Sequence, residues 1–300
     1  MKYLCTFLLF LFCNSGHASV STWVDVTIDN GHIKFPVVVQ GYAGMAILDS
    51  GAFTNGLNEN FKLKHNINVV EGKKIDIRGA YGHDKRATYV DFSVEMFGAN
   101  LSFENLLSVS LGHSDNAILL GAGFMKQFVF QIDYVNKRMR ILGRDSIDLK
   151  KVQNLDMKSQ RSSGVPIVKV GLNNEENVWL LLDTGNNGSV MLERSIAIAH
   201  HWLDKYPTKS SIIHGAIRAG YNDTFNLPEL KIGPYTLENV FVSVPAKGQQ
   251  SNLTKQYQEP LSRIKSKKVE GILGYDVLKH FVLTIDYAEG LGHLGIPEKE

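Results

Sequence analysis

The chain carries the same short motif twice, each time at the end of an apolar strand. In "AILDSGA" the strand runs into Asp49, and in "VWLLLDTGN" it runs into Asp183. A single Asp-Ser/Thr-Gly is usually a tight turn, in which the aspartate caps the backbone and the glycine relieves the bend. Two copies in the same context indicate that the chain contains a duplication and that the two aspartates have equivalent places in the fold.

The segments downstream of the two aspartates match without a gap. "GAGFMKQFVFQIDY" begins at Gly121 and "GYDVLKHFVLTIDY" begins at Gly274, and an apolar pair precedes each glycine. The order of the motifs is the same in both copies. The sequence therefore predicts two homologous halves, with a polar surface loop, "AKGQQSNLTKQYQEPLSRIKSKKVEG", that only the second half possesses.

Short runs rich in Val, Ile, Phe and Tyr, separated by Gly, Asn and Asp, make up most of the chain. This pattern is typical of strands and turns, so we expect a mostly β protein in which "LERSIAIAHHWLDKY" is the longest helix. Polar residues gather between the halves. We therefore predict a first lobe over residues 19–145, a linker over 146–164 and a second lobe over 165–300.

The first residues have the three parts of a secretory signal. Lys2 precedes an apolar run that ends at Cys13, and Ala18 ends a stretch of small and polar residues. We predict cleavage after Ala18, which makes residues 1–18 a signal peptide and sends the protein to the periplasm or out of the cell. A membrane anchor is the alternative, but the run is too short to span a bilayer. Both cysteines lie in the predicted signal.

The nearly balanced charge of the chain does not indicate a strongly charged partner. The chain has 32 basic and 30 acidic residues and a net charge of +2, with no basic block, so a nucleic-acid partner is not expected. The histidines lack the His-Glu-x-x-His spacing of a metal-dependent hydrolase. We predict neither a cofactor nor a metal.

The paired motifs, "ILDSGA" with "ILLGAGFMKQF" and "LLLDTGN" with "GILGYDVLKHF", resemble those of the aspartic proteases. The retropepsin-like branch is the more similar, and the resemblance extends over both halves. It implies two β-barrel lobes around a pseudo-twofold axis with a central cleft. It also implies that Asp49 and Asp183 are a catalytic pair, one from each lobe.

What such a pair does follows from its electrostatics. Two adjacent carboxylates cannot both ionise comfortably, so one keeps its proton; this protein family is the standard example of the effect. The ionised group then activates a water molecule against a peptide carbonyl, and the protonated group donates to the carbonyl oxygen. We therefore expect a monomeric aspartic endopeptidase that acts on peptide or protein substrates.

The resemblance also assigns supporting roles around the pair. Ser50 and Thr184 would hydrogen-bond across the lobe interface, although each could instead be an ordinary turn residue. Gly51 and Gly185 would allow the backbone to approach the reacting water. Gly121 and Gly274 would pack behind the two loops without a role in the chemistry.

Two positions depart from the pepsin pattern, in which a hydroxyl follows three residues after each aspartate. Ala52 and Asn186 occupy these places, and the first follows the retropepsin pattern. Losing a donor to the ionised carboxylate raises its pKa, so we expect activity at mildly acidic pH. The amide of Asn186 could replace the hydroxyl or mark a change of function.

Substrate-binding flaps are predicted from turn-rich segments between alternating strands. "AYGHDKR" is predicted to form the turn of a hairpin, with Tyr81 and Gly82 at the tip facing the substrate; an exposed hairpin without a role is the alternative. The second half has "IIHGAIRAGYNDTF" in the same place, with Ile217 and His214 as candidate cleft residues.

Two other functions are consistent with the sequence. A catalytically silent protein could keep the two-lobed fold to bind a peptide or a partner, because fold alone does not establish activity. Alternatively, each lobe could pair with its equivalent in a second molecule and form two sites.

Overall fold

The computed structural model describes residues 22–160, 164–255 and 267–298. The predicted signal peptide and its cleavage site, with both cysteines, lie outside these residues. Among the described residues, strand accounts for 49% and helix for 12%, which confirms the mostly β prediction.

Within the described residues, the β structure consists of three sheets of five or more strands and one separate two-stranded hairpin. The strands of the first half are β1 (Val24–Asp25), β2 (Thr27–Asp29), β3 (His32–Val39), β4 (Tyr42–Leu48), β5 (Gly56–Asn58), β6 (Val70–Glu71), β7 (Ile75–Arg78), β8 (His83–Arg86), β9 (Thr88–Val90), β10 (Phe92–Met96), β11 (Ala99–Phe103), β12 (Leu106–Val109), β13 (Asn116–Leu120), β14 (Val129–Asp133) and β15 (Arg138–Leu142). Those of the second half are β16 (Met157–Ser159), β17 (Pro166–Leu172), β18 (Glu176–Leu182), β19 (Val190–Leu192), β20 (Lys209–His214), β21 (Ala219–Ile232), β22 (Tyr235–Pro245), β23 (Gly271–Leu273), β24 (Val282–Asp286) and β25 (Leu291–Gly295).

The helices are all short. They are α1 (Glu59–Lys64), α2 (Ala122–Met125), α3 (Leu149–Val152), α4 (Arg194–Ala199), α5 (Trp202–Lys205) and α6 (Tyr275–Leu278), with a 3-10 turn at Arg144–Ser146. None of the helices in the described ranges has both the length and the apolar character that a membrane crossing requires.

Each half of the chain builds its own large sheet. A ten-stranded sheet contains β2 to β6 and β9 to β13, and an eight-stranded sheet contains β16 to β23. Burial alternates along β3 and β10, as expected where one face of a strand meets the core. The ends of β4 and β18 are buried without alternation, because each lies beside a parallel neighbour inside the protein.

A five-stranded sheet, in the order β1-β15-β14-β24-β25, combines both halves. Its central strands β14 and β24 are the equivalent strands of the duplication. They pair antiparallel, with Val129 opposite Asp286 and Asp133 opposite Val282. The two strands that end in the repeated Asp-Tyr motif therefore pair with each other where the two halves join.

One local prediction needs correction. The predicted long helix is broken into α4 and α5 at His201, whose φ of 56° is left-handed, and the break lets the Trp202 side chain enter the core with no exposed surface. The predicted linker also contains structure, since α3 and β16 lie within it. β16 pairs with β17 and so belongs to the second sheet.

Candidate active site

The first aspartate is held at the end of a buried strand. β4 ends at Leu48, which lies opposite Leu120 of the parallel strand β13. The amide of Asp49 continues this pairing and donates to the Leu120 carbonyl at 3.0 Å. The chain then turns sharply, and the carboxylate of Asp49 is left at the edge of the core.

The second aspartate has the same surroundings. Leu182 ends β18 opposite Leu273 of the parallel strand β23, and the Asp183 amide donates to the Leu273 carbonyl at 2.9 Å. The duplication seen in the sequence is thus a duplication of strand pairing. Each Asp loop leaves one strand and is supported by a second.

The two loops are joined by hydrogen bonds between Ser50 and Thr184. The Ser50 amide donates to the Thr184 hydroxyl at 3.0 Å, and the Thr184 amide donates to the Ser50 hydroxyl at 2.9 Å. Each hydroxyl in turn donates to a carbonyl of the other half, Ser50 to Leu182 at 2.6 Å and Thr184 to Leu48 at 3.0 Å. Both side chains are buried, so these bonds are shielded from competing water.

The two carboxylates lie against the glycines of the opposite loops. A β-carbon added at Gly51 would lie 2.5 Å from Cγ of Asp183, and one added at Gly185 would lie 2.5 Å from both carboxylate oxygens of Asp49. No side chain fits at either position. Glycine at these two places lets the carboxylates come within hydrogen-bonding reach of each other.

Backbone donors orient both carboxylates. Oδ1 of Asp49 accepts from the amides of Gly51 at 2.9 Å and Ala52 at 3.0 Å, and Oδ1 of Asp183 accepts from Gly185 at 2.9 Å. One oxygen of each group is thereby fixed within its own loop. The remaining oxygens are available to each other and to a third group between them.

Burial raises the pKa of both aspartates. The pKa of Asp183 is raised further by the negative charge of Asp49, and it stands well above the ordinary range. Backbone donors at Gly51 and Ala52 offset part of the rise at Asp49. The pair therefore holds a proton to higher pH than isolated aspartates do, and its titration belongs to the pair as a unit.

The glycines that begin the second motifs support the loops from behind. A β-carbon at Gly121 would lie 2.5 Å from the Thr54 carbonyl, and one at Gly274 would lie 2.6 Å from the Asn186 carbonyl. Asn55 adds a contact that the sequence did not suggest: its buried side-chain oxygen accepts from the Gly121 amide at 3.0 Å.

The two departures from the pepsin pattern have different local roles. Ala52 contributes its amide to Asp49, as described above, but has no hydroxyl to donate. The side-chain oxygen of Asn186 accepts from the Gly188 amide at 2.7 Å and so closes its own loop. Asn186 is thus a turn-forming residue in this structure.

The predicted orientation of Tyr81 is wrong. The hairpin exists, with β7 paired to β8, but its turn is confined to residues 79–82 because "HDKR" forms β8. Tyr81 is only 2% exposed and is buried among side chains of the second half. Its hydroxyl donates to Asn222, so it faces the protein interior.

The other two flap candidates lie at a contact between hairpins. Gly82 has a left-handed φ of 78° and lies beside the Arg218 side chain. Ile217, at the turn of the hairpin β20–β21, lies beside Gly79. His214 is exposed at the end of β20. The two hairpins therefore meet at their tips.

Two buried tyrosines near the aspartates were also missed. Tyr134 and Tyr287 follow the paired strands β14 and β24, and burial raises the pKa of each phenol, with a smaller contribution from the charge of the aspartates. Neither hydroxyl has a hydrogen-bond partner among the described residues. The sequence shows that the two tyrosines occupy equivalent positions in the duplication. Their nearness to the aspartates, however, depends on the folded sheet.

A metal site is not evident here. Across residues 22–160, 164–255 and 267–298, His, Cys, Asp and Glu side chains form no group of three or more that could hold an ion.

One comparison with known proteins covers part of the second half. A protein-family model described as "Aspartyl protease" matches residues 168–277, a range that includes Asp183 and Gly274. The match supports an aspartyl protease family and, with it, a protease as the class of enzyme. No curated protein matches the chain.

Proposed function

We propose that the protein is an exported aspartic endopeptidase that hydrolyses peptide bonds with a water molecule activated by Asp49 and Asp183. The observation that carries the proposal is the mutual arrangement of the two Asp loops. Each carboxylate lies over the glycine of the other loop, and the Ser50–Thr184 bonds hold both loops in place. Reciprocal hydrogen bonds of this kind are not expected between two unrelated turns.

In the proposed reaction, the pair holds one proton. The ionised carboxylate removes a proton from the water, and the water oxygen bonds to the peptide carbonyl carbon. The protonated carboxylate donates to the carbonyl oxygen at the same time. When the tetrahedral intermediate collapses, the carboxyl group that took the proton from water gives it to the leaving nitrogen, and the other carboxylate removes a proton from a hydroxyl of the intermediate. The C–N bond breaks, and the pair again holds one proton. The raised pKa values of both aspartates favour a pair that keeps one proton between them.

The same proposal includes the two-lobed arrangement. The ten-stranded and eight-stranded sheets would be equivalent lobes around a pseudo-twofold axis through the β14–β24 pair, with the cleft between them. The signal-like residues 1–18 support export to the periplasm or the medium, and the pairing of both aspartates within one chain supports a monomer.

Digestion of a peptide library by the mature protein across pH tests the proposal. We expect internal cleavage by the wild type and none by Asp49→Asn or Asp183→Asn, which keep the shape of the side chain. Circular dichroism and thermal unfolding of both variants check that the fold is retained. Cleavage that survives in either folded variant would contradict the shared site, and a wild type that binds peptides without cleaving them would favour the silent binding protein.

A further inference from the structure

The tip of the β7–β8 hairpin is fixed to the other half of the chain. Tyr81 belongs to a cluster whose other buried members all come from the second half: Val165, Ile167, Leu181, Met191, Leu253, Val269 and Ile272. A single aromatic side chain therefore crosses from one half into the core of the other.

The pocket around Tyr81 fits this side chain closely. The hydroxyl donates to Oδ1 of Asn222, a residue with no exposed surface. The ring lies against Gly220, where an added β-carbon would be 2.5 Å from ring atoms. Burial raises the pKa of Tyr81 to about 12, so the hydroxyl remains a donor at any pH at which the protein would work.

Asn252 provides a second connection to the same tip. Its amide donates to the Ala80 carbonyl at 2.8 Å, and its side chain donates to the carbonyls of Gly79 at 3.3 Å and Gly82 at 3.0 Å. This asparagine lies in the polar stretch that only the second half possesses. The connection therefore has no counterpart in the first half of the chain.

The rest of the hairpin has little to hold it. β7 and β8 form a two-stranded sheet of their own and pair with no other described strand. Most of their side chains are exposed. Since an isolated two-stranded hairpin is marginally stable at best, its position depends on the contacts at its tip, and it can move without disrupting the large sheets.

We propose that Tyr81, Asn222 and Asn252 form a latch that keeps the cleft closed, and that substrate reaches the aspartates only after Tyr81 leaves its pocket. This inference rests on the proposed function and adds to it that the two touching hairpins cover the cleft. The latch sets the fraction of molecules open to substrate, and the apparent affinity falls with that fraction.

Hydrogen exchange tests the latch without reference to catalysis. In Tyr81→Phe and Asn252→Ala, we expect the amides of residues 75–86 to exchange about three- to tenfold faster than in the wild type, because each variant loses bonds that hold the tip. Asn226→Ala is the matched control, since it removes an exposed side-chain bond to Asn239 elsewhere on β21. Unchanged exchange in both latch variants would overturn the proposal. Faster exchange in a protein that cleaves no peptide would support the latch and count only against the proposed protease.

A reversible lock tests access to the cleft. A β-carbon at Gly79 would lie 3.4 Å from Cγ1 of Ile217, so these neighbouring positions are chosen for a pair of cysteines that can be oxidised to a disulfide. The oxidised Gly79→Cys/Ile217→Cys protein should lose at least about 90% of the activity that its reduced form shows, and reductant should restore it. Each single-cysteine variant controls for the oxidant. Equal activity of the oxidised and reduced double variant would overturn the latch.

Discussion

Ser50 and Thr184 each donate an amide hydrogen to the other's hydroxyl, across 134 positions of sequence. Each hydroxyl then donates to the carbonyl just before the other aspartate. The separation of the two carboxylates is therefore set by buried hydrogen bonds on the far side of the loops, where substrate would not disturb them.

Thr184→Val should destabilise the protein strongly for so small a change. Valine keeps the shape of threonine, but it removes the acceptor of the Ser50 amide and the side-chain donor to the Leu48 carbonyl. We expect the free energy of unfolding to fall by about 2 kcal/mol in urea denaturation. Thr208→Val, which removes an exposed hydroxyl, should cost below about 0.5 kcal/mol. Equal losses in the two variants would contradict this account of the Ser50–Thr184 bonds.

Gly185→Ala should impair catalysis more than folding. The added methyl would meet the Asp49 carboxylate and push it out of line, and a displacement of about 1 Å can cost about a hundredfold in rate. We expect kcat to fall by about that factor. Gly171→Ala in β17 is the control, because its nearest neighbour would be at an ordinary 3.5 Å. Wild-type kcat in Gly185→Ala would contradict the close approach of the two loops.

The stability of the wild type should depend on the protonation of the aspartate pair. Raised pKa values mean that the folded protein binds these protons more tightly than the unfolded chain, in which aspartates titrate near about 3.9. The stabilisation is fully present below that pH and is lost as pH rises through the folded pKa values. Relative to the wild type, Asp183→Asn should therefore gain stability as pH rises from about 4 through the folded pKa values, by about 1.4 kcal/mol for each unit by which the pKa of Asp183 is raised. A stability difference that stays constant with pH would contradict the raised pKa.

Activity should be highest at mildly acidic pH. The reaction needs one proton on the pair, and burial together with the missing hydroxyl at Ala52 keeps that proton bound above the ordinary aspartate range. A pH profile of kcat/KM on a peptide from the library measures this directly. An optimum below about pH 3 would contradict it.

The sequence predicted the parts of the fold that depend on local pattern and on duplication. The strands, the two Asp loops and the apolar segments behind them could all be found because each copy repeats the same short motif. The contact between Ser50 and Thr184 required the resemblance to a family, since nothing in either motif alone states that the two meet.

Features that depend on the packing of distant residues could not be predicted. Tyr81 was assigned to the substrate side, but the direction of a hairpin side chain depends on which half of the molecule offers it a pocket. Asn222 and Asn252 carried no signal, because polar residues in a strand and a loop are ordinary until a tyrosine or a set of carbonyls lies beside them. The helix breaks at His201, where Trp202 enters the core, and the helical pattern of the sequence does not indicate this break.

The most direct test of the central claim is a titration of the aspartate side-chain carbons by carbon-13 NMR in the wild type, Asp49→Asn and Asp183→Asn. We predict that the wild-type pair titrates in two separated steps, one of them above the ordinary range of about 3.9, and that either substitution replaces the two steps by one. Two independent steps near about 3.9, each unaffected by loss of the other aspartate, would contradict a shared proton and the proposed mechanism.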